Sequence, residues 1–299
     1  MDGHENSSLV GKIMAPAPAS KINQIVHSVE NLRPIPTSVS RVMMMLDDPS
    51  STARDISEMI GMDQALAATV LQMANSVALG FSPACANLKD AVMRLGFKRI
   101  KTVVMGAGVS GSLNKSLTGY RYGYGVLWNH SIAVATAAQW LSQALQYPDP
   151  DEAYVAGLLH DMGKLMLDQY VQIDYAQMVD MMKRYRQPLQ VIEEKLFGID
   201  HASVGGMMAQ KWNFPVTLVD TIRFHHAPSL VRTNSPLAAI INLANAFDPQ
   251  DMHGLSSDRD LKIHPEALNI LHLDIVQVER LRERMHEYFK VGLGNQGQG

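Results

Sequence analysis

The residues with most chemistry in this sequence lie in a stretch that should be buried. Ala156-Gly157-Leu158-Leu159-His160-Asp161-Met162-Gly163-Lys164-Leu165-Met166 reads as a helix apolar nearly all round, and such a helix belongs in a core. It nevertheless holds an imidazole, a carboxylate and an ammonium close together. An unpaired carboxylate in such surroundings is costly, so Asp161 needs a cation or strong donors. Lys164, three residues on, is one candidate cation. A metal ion held by His160 and Asp161 is the other.

Four further histidines favour the metal. His130 shares the apolar face of its helix with Ala133, Val134, Ala137 and Leu141. His201 opens a helix directly after Asp200, a good N-cap, and lies on one face with Val204, Gly205 and Met208. His225 and His226 close a helix that Pro228 soon terminates, and a helix C-terminus favours a nearby cation. A single histidine on an apolar face is ordinary core chemistry. Five on inward faces around one buried aspartate predict a site. The other six histidines (His4, His27, His253, His264, His272 and His286) fall in tails, polar loops or exposed faces.

These side chains must be positioned by helices, because few windows alternate apolar and polar residues as strands do. The expected fold is all-α: an N-terminal bundle of short helices packed on a larger multi-helix domain. Residues 1–20, rich in Ala, Pro and Ser at their end, read as a flexible tail. Residues 21–115 form the first block, with helices over Ser40–Leu46, from Thr52 to Gly61, from Asp63 onward, over Leu88–Leu95 and over Ile100–Met105. Gly106 to Gly125, with its Gly, Ser and Tyr, is either a boundary or a crossing loop. Residues 116–291 form the second block, with helices near 127–146, 151–170, 174–186, 188–196, 200–212, 215–227, 235–247 and 274–290. Asp248 to Lys262 reads as a mobile loop and residues 292–299 as a frayed tail.

Composition sets the outer bounds. The 299 residues are 46% hydrophobic and 18% charged, as in globular proteins. A net charge of −3 gives no general attraction to nucleic acid or anionic membranes. One cysteine, Cys85, excludes an intrachain disulfide and fits a reducing compartment. With neither a signal-peptide pattern nor an apolar run of spanning length, a cytoplasmic location is expected and no membrane partner. Asp55 to Leu66 superficially matches a helix-turn-helix, but its second helix offers Ala65, Leu66, Ala67, Ala68 and Val70, which cannot read base edges. Nucleic acid is therefore not an expected partner.

The order His130, His160-Asp161-x-Gly163-Lys164, His201, His225-His226 resembles the HD superfamily of metal-dependent phosphohydrolases. Leu32-Arg33-Pro34-Ile35-Pro36, Met73-Ala74-Asn75-Ser76, Leu88 to Gly96 and Ile222-Arg223-Phe224-His225-His226 resemble its HDOD branch, and the likeness covers residues 22–250 or so. The resemblance implies a helical signalling module of bacteria, related to the HD-GYP branch that hydrolyses cyclic di-GMP. It implies that His130, His160 and Asp161 hold one divalent metal, with Asp161 bridging to a second held by His201 and one or both of His225 and His226. Mixed imidazole and carboxylate ligands suit Fe, Mn, Zn, Ni or Co, as one or two ions. Asp161 and Lys164 would be the catalytic residues of an enzyme. Two departures stand out. Asn245 occupies the place of a late aspartate ligand, and the Gly-Tyr-Pro segment of the HD-GYP branch is missing after His226. Both favour a module that acts through signalling partners, with a nucleotide or phosphate as a further ligand, over a phosphodiesterase acting on nucleotides or cyclic dinucleotides.

Overall fold

The structure is a computed structural model that describes residues 19–32, 35–75, 85–171, 175–247 and 263–294. Most of the expected N-terminal tail, all of the segment 248–262 and the last five residues therefore lie outside the described residues, as do Arg33, Pro34 and Ser76. The described chain is helical throughout, with one isolated antiparallel bridge between Leu117 and Tyr122.

The first helices are α1 (Ala19–Glu30), α2 (Thr37–Asp47), α3 (Ala53–Gly61), α4 (Gln64–Ala74) and α5 (Leu88–Leu113). Local chemistry sets their ends. Thr52 accepts the Asp55 N–H and Asp55 accepts the Thr52 N–H, a reciprocal cap that opens α3. Asp63 accepts the Leu66 N–H at the start of α4. Within α5, Gly96 adopts φ 72° and ψ 165°, which only glycine tolerates without strain, and the helix changes direction there.

The expected loop from Gly106 is a correction. α5 runs on to Leu113, because the small residues of Gly106-Ala107-Gly108 allow close packing: a Cβ on Gly108 would lie 3.2 Å from the Val39 methyls. The crossing loop is therefore confined to residues 114–125.

The later helices are α6 (Val126–Ala144), α7 (Pro150–Leu159), α8 (Lys164–Leu167), α9 (Tyr175–Tyr185), α10 (Leu189–Phe197), α11 (His201–Lys211), α12 (Val216–Phe224), α13 (Ser235–Phe247), α14 (Pro265–Leu271) and α15 (Ile275–Gly294). The region read as one helix over 151–170 is a second correction. α7 stops at Leu159, residues 160–163 turn, and α8 and a 3-10 turn over Asp168–Tyr170 follow. At the break, a Cβ on Gly163 would lie 1.9 Å from the His201 carbonyl oxygen and 2.6 Å from the Gly205 amide nitrogen. Only a glycine lets the two backbones approach so closely.

Two apolar cores result. One contains Val39, Val42, Ile56, Ile60, Val70, Val92 and Ile100 and reaches into the second block at Ala135, Tyr154 and Leu158. The other is centred on α6, α7, α11 and α13 and takes in Ile25 and Val29 of α1, together with Met105, Val109 and Leu113 of α5. α1 packs on α8 and α11. Among the described residues no helix is long and apolar enough to cross a membrane.

Candidate metal centre

Four helix ends and one helix face converge on Asp161. His130 comes from the buried face of α6, His160 and Asp161 from the turn after α7, and Lys164 from the start of α8. His201 is the first residue of α11, where Asp200 accepts the Ser203 N–H as its cap. His225 and His226 follow the last residue of α12, three residues sooner than the expected helix end. All are buried except His226, which is half-buried.

The hydrogen bonds fix which nitrogen each imidazole presents. His160 Nδ1 lies 2.7 Å from Gly157 O, and His225 Nδ1 lies 2.8 Å from Ile222 O. A carbonyl only accepts, so each Nδ1 carries the proton and each Nε2 offers a lone pair. His201 likewise donates from Nδ1 to Glu193 Oε2 at 2.5 Å. The Nε2 atoms of His160, His201 and His225 thus point toward one carboxylate. His160 Nε2 is 3.4 Å from Asp161 Oδ2, while His201 Nε2 and His225 Nε2 are 3.1 and 3.9 Å from Oδ1. His130 Nε2 stands 3.2 Å from Oδ2 and 3.3 Å from His160 Nε2, and His226 Nε2 is 3.0 Å from His201 Nε2.

Lys164 Nζ donates to Asp161 Oδ2 at 2.6 Å, so the expected ion pair does form. It satisfies only one oxygen. Asp161 Oδ1 and His225 Nε2 are buried and have no hydrogen-bond partner. A native core rarely leaves two such atoms side by side, and a cation between them is the simple remedy.

Charge follows the same geometry. Burial opposes the charge of Asp161, yet His160 and the Lys164 ammonium hold its carboxyl well below the usual range. Burial keeps His160 below its ordinary value, and burial with neighbouring imidazoles holds His225 and His226 well below theirs. These three are neutral, the form that binds metal. Burial would also depress His201, but the Glu193 carboxylate outweighs it and lifts the imidazole to about 9.

Two groups could hold a metal ion: His130, His160 and Asp161, and His201, His225 and His226, with the donor atoms of each group within 4.8 Å of one another. A tetrahedral ion with bonds of about 2.0–2.1 Å needs donors about 3.3–3.4 Å apart. The separations of 3.0, 3.1 and 3.9 Å among His226, His201, His225 and Asp161 Oδ1 bracket that value. The residues present fit a metal.

Asn245 is half-buried on α13, and no side-chain hydrogen bond joins it to the cluster among the described residues. The amide that touches the cluster is Asn242, one turn earlier, which donates to His225 O at 2.9 Å and accepts the His264 N–H at 2.9 Å. Sequence reasoning missed Asn242, Glu193 and Tyr120. A signal was present for two of them. Glu193 falls on the apolar stripe of Leu189, Ile192 and Phe197, and Asn242 interrupts an apolar helix.

The HDOD domain profile matches residues 32–228, well over half of the chain. An uncharacterized protein of Treponema pallidum (strain Nichols) is 26% identical over 230 residues, which is 74% of this chain and 43% of that protein. The chain thus spans less than half the length of that relative. An HDOD domain protein of unknown function from Geobacter sulfurreducens has a TM-score of 0.67 at 21% identity, over 91% of this chain and 95% of its own. A candidate phosphohydrolase from Shewanella amazonensis SB2B has a TM-score of 0.65 at 24% identity, over 90% and 95%. A candidate signal transduction protein from Marinobacter aquaeolei VT8 has a TM-score of 0.68 at 21% identity, over 93% and 64%. At these identities the structures bear on the fold alone, and they share its all-helical form. The profile match over more than half of the chain establishes that it belongs to the HDOD family.

Proposed function

We propose that this chain is a bacterial, cytoplasmic regulatory module that carries a divalent transition metal in its HD-type cluster and acts by docking signalling proteins. The observation that carries the metal is the pair of orphaned buried atoms, Asp161 Oδ1 and His225 Nε2. His201, His225, His226 and Asp161 Oδ1 would hold the ion. A second ion on His130, His160 and Asp161 Oδ2 would compete with the Lys164 ammonium already on that oxygen. The site therefore favours one ion over two. Fe, Mn, Zn, Ni and Co all suit the donors.

Closure of the site favours a module over an enzyme. His160 and His225 are 0% exposed, Asp161 and His201 1%, Lys164 3% and His130 4%, so among the described site residues only half-buried His226 offers a substrate an approach. The alternative is a metal-dependent phosphohydrolase on nucleotides or cyclic dinucleotides, and the survival of both candidate metal groups around Asp161 favours it. In that reading the ion supplies Lewis acidity toward a phosphoryl oxygen, while Asp161 orients it and Lys164 holds the anion. A candidate signal transduction protein and a candidate phosphohydrolase among the similar structures match the two readings in turn.

Elemental analysis of protein purified without a metal-chelating tag, paired with an assay on cyclic dinucleotides and bis(p-nitrophenyl) phosphate, tests both. The expected result is about one transition metal per chain, lost in His225→Ala, with no turnover. A metal-free native protein overturns the metal. Turnover abolished by Asp161→Asn replaces the module with the enzyme.

A further inference from the structure

We infer that Glu193, braced by Tyr120, is a positioning residue for the metal centre that fixes the orientation and tautomer of His201. The inference rests on the metal reading above. Glu193 is 0% exposed on α10, and no lysine or arginine pairs with it among the described residues. A carboxylate so placed must be held by strong donors. Three are present. Oε2 accepts the His201 backbone N–H at 2.9 Å and the His201 Nδ1–H at 2.5 Å, while Oε1 accepts the Tyr120 O–H at 2.7 Å.

Both oxygens are thereby occupied, and the carboxylate cannot turn. One oxygen grips the main chain and the ring of the same residue, so His201 is locked at both ends. Its Nε2 is left aimed at Asp161 Oδ1 and His226 Nε2. Tyr120 is anchored in turn. Its N–H donates to Asp168 Oδ1 at 3.0 Å, and its ring stacks on Tyr122 with centroids 5.6 Å apart. The Gly-Tyr-rich crossing loop thus buttresses the site from behind.

Glu193 also supplies charge. Asp161 is the one carboxylate inside the cluster, and Lys164 already offsets it. A divalent ion needs further negative charge nearby, and a carboxylate behind an imidazole makes that imidazole a stronger ligand.

The test compares the native chain with Glu193→Gln and Tyr120→Phe. Each is stripped of metal, melted, and titrated with Zn2+ against a chromogenic chelator, and the histidine tautomers are read by 15N NMR. Glu193→Gln should weaken Zn2+ binding about 10–100-fold and blur the His201 tautomer. Tyr120→Phe should weaken binding less, in the same direction. If Glu193→Gln does not fold, Tyr120→Phe decides, because it keeps the carboxylate and removes one donor. A lower melting temperature with unchanged Zn2+ affinity in whichever variant decides would make the contact mere packing and overturn this inference, leaving the metal centre intact. A native chain that takes up no Zn2+ would overturn the metal centre and this inference together.

Discussion

The two cores of this protein are built on different terms. The core of the N-terminal helices is apolar throughout, with Val39, Val42, Ile56, Ile60, Val70 and Ile100 and no buried charged group on α1 to α5 among the described residues. Among the described residues, the buried polar and charged ones all fall between His130 and Asn242. There the chain buries five side chains of formal charge or metal-binding character around Asp161, and fits backbone against backbone at Gly163 and Gly157 to do so. The first core is specified by volume and pattern, which tolerate substitution; the second is specified by individual atoms and their partners. Polar burial without a function is costly, so the contrast itself marks where the chemistry lies.

Substitutions in the two cores should separate stability from metal. The largest effect is expected for Asp161→Ala. It removes the metal, and in stripped protein it leaves the buried Lys164 ammonium unpaired, at about 3–5 kcal/mol; urea unfolding of stripped protein with elemental analysis reads both. Ile60→Ala in the first core should cost about 2–5 kcal/mol through the cavity it leaves, with metal content unchanged. If Ile60→Ala also empties the site, the two cores are not independent. Gly163→Ala should cost about 1–3 kcal/mol and weaken metal binding too, because the added methyl displaces His201 at its carbonyl. Asn245→Asp adds a negative charge one turn beyond Asn242 and should tighten metal binding with little change in melting temperature.

The smallest effect belongs to the first core. Asp63→Ala should cost about 1 kcal/mol by loss of the α4 cap. Hydrogen bonds from Ser38 and Leu66 hold the Asp63 carboxyl below its ordinary value. A carboxyl depressed in the folded state stabilises above its unfolded pKa, and that contribution fades as pH falls through the folded one. The difference between native and Asp63→Ala stability should therefore shrink toward strong acid, measured by denaturant melts across pH.

Much of this was legible because periodicity reports burial and spacing reports convergence. The inward faces of His130 and His201 follow from their apolar neighbours, and the pattern over 235–247 matches the observed ends of α13, Ser235–Phe247. What stayed hidden depended on contacts between segments distant in sequence. Nothing local announces that α7 must stop at Leu159, because the reason is the His201 backbone pressed on Gly163. The helical character of Gly106 to Leu113 was masked by its glycines, which read as loop until Val39 is seen filling the space a side chain would need. Glu193 escapes a local reading because its partners, Tyr120 and His201, lie 73 and 8 residues away.

The bend at Gly96 has a consequence for how the molecule comes apart. α5 gives Ala91, Val92, Leu95, Ile100, Val103 and Val104 to one core and Met105, Val109 and Leu113 to the other. Neither core can melt without unravelling a helix that the other requires. Heating should therefore give one calorimetric transition whose enthalpy equals the van't Hoff value, and a proline placed at Val104 should lower that single midpoint without splitting it.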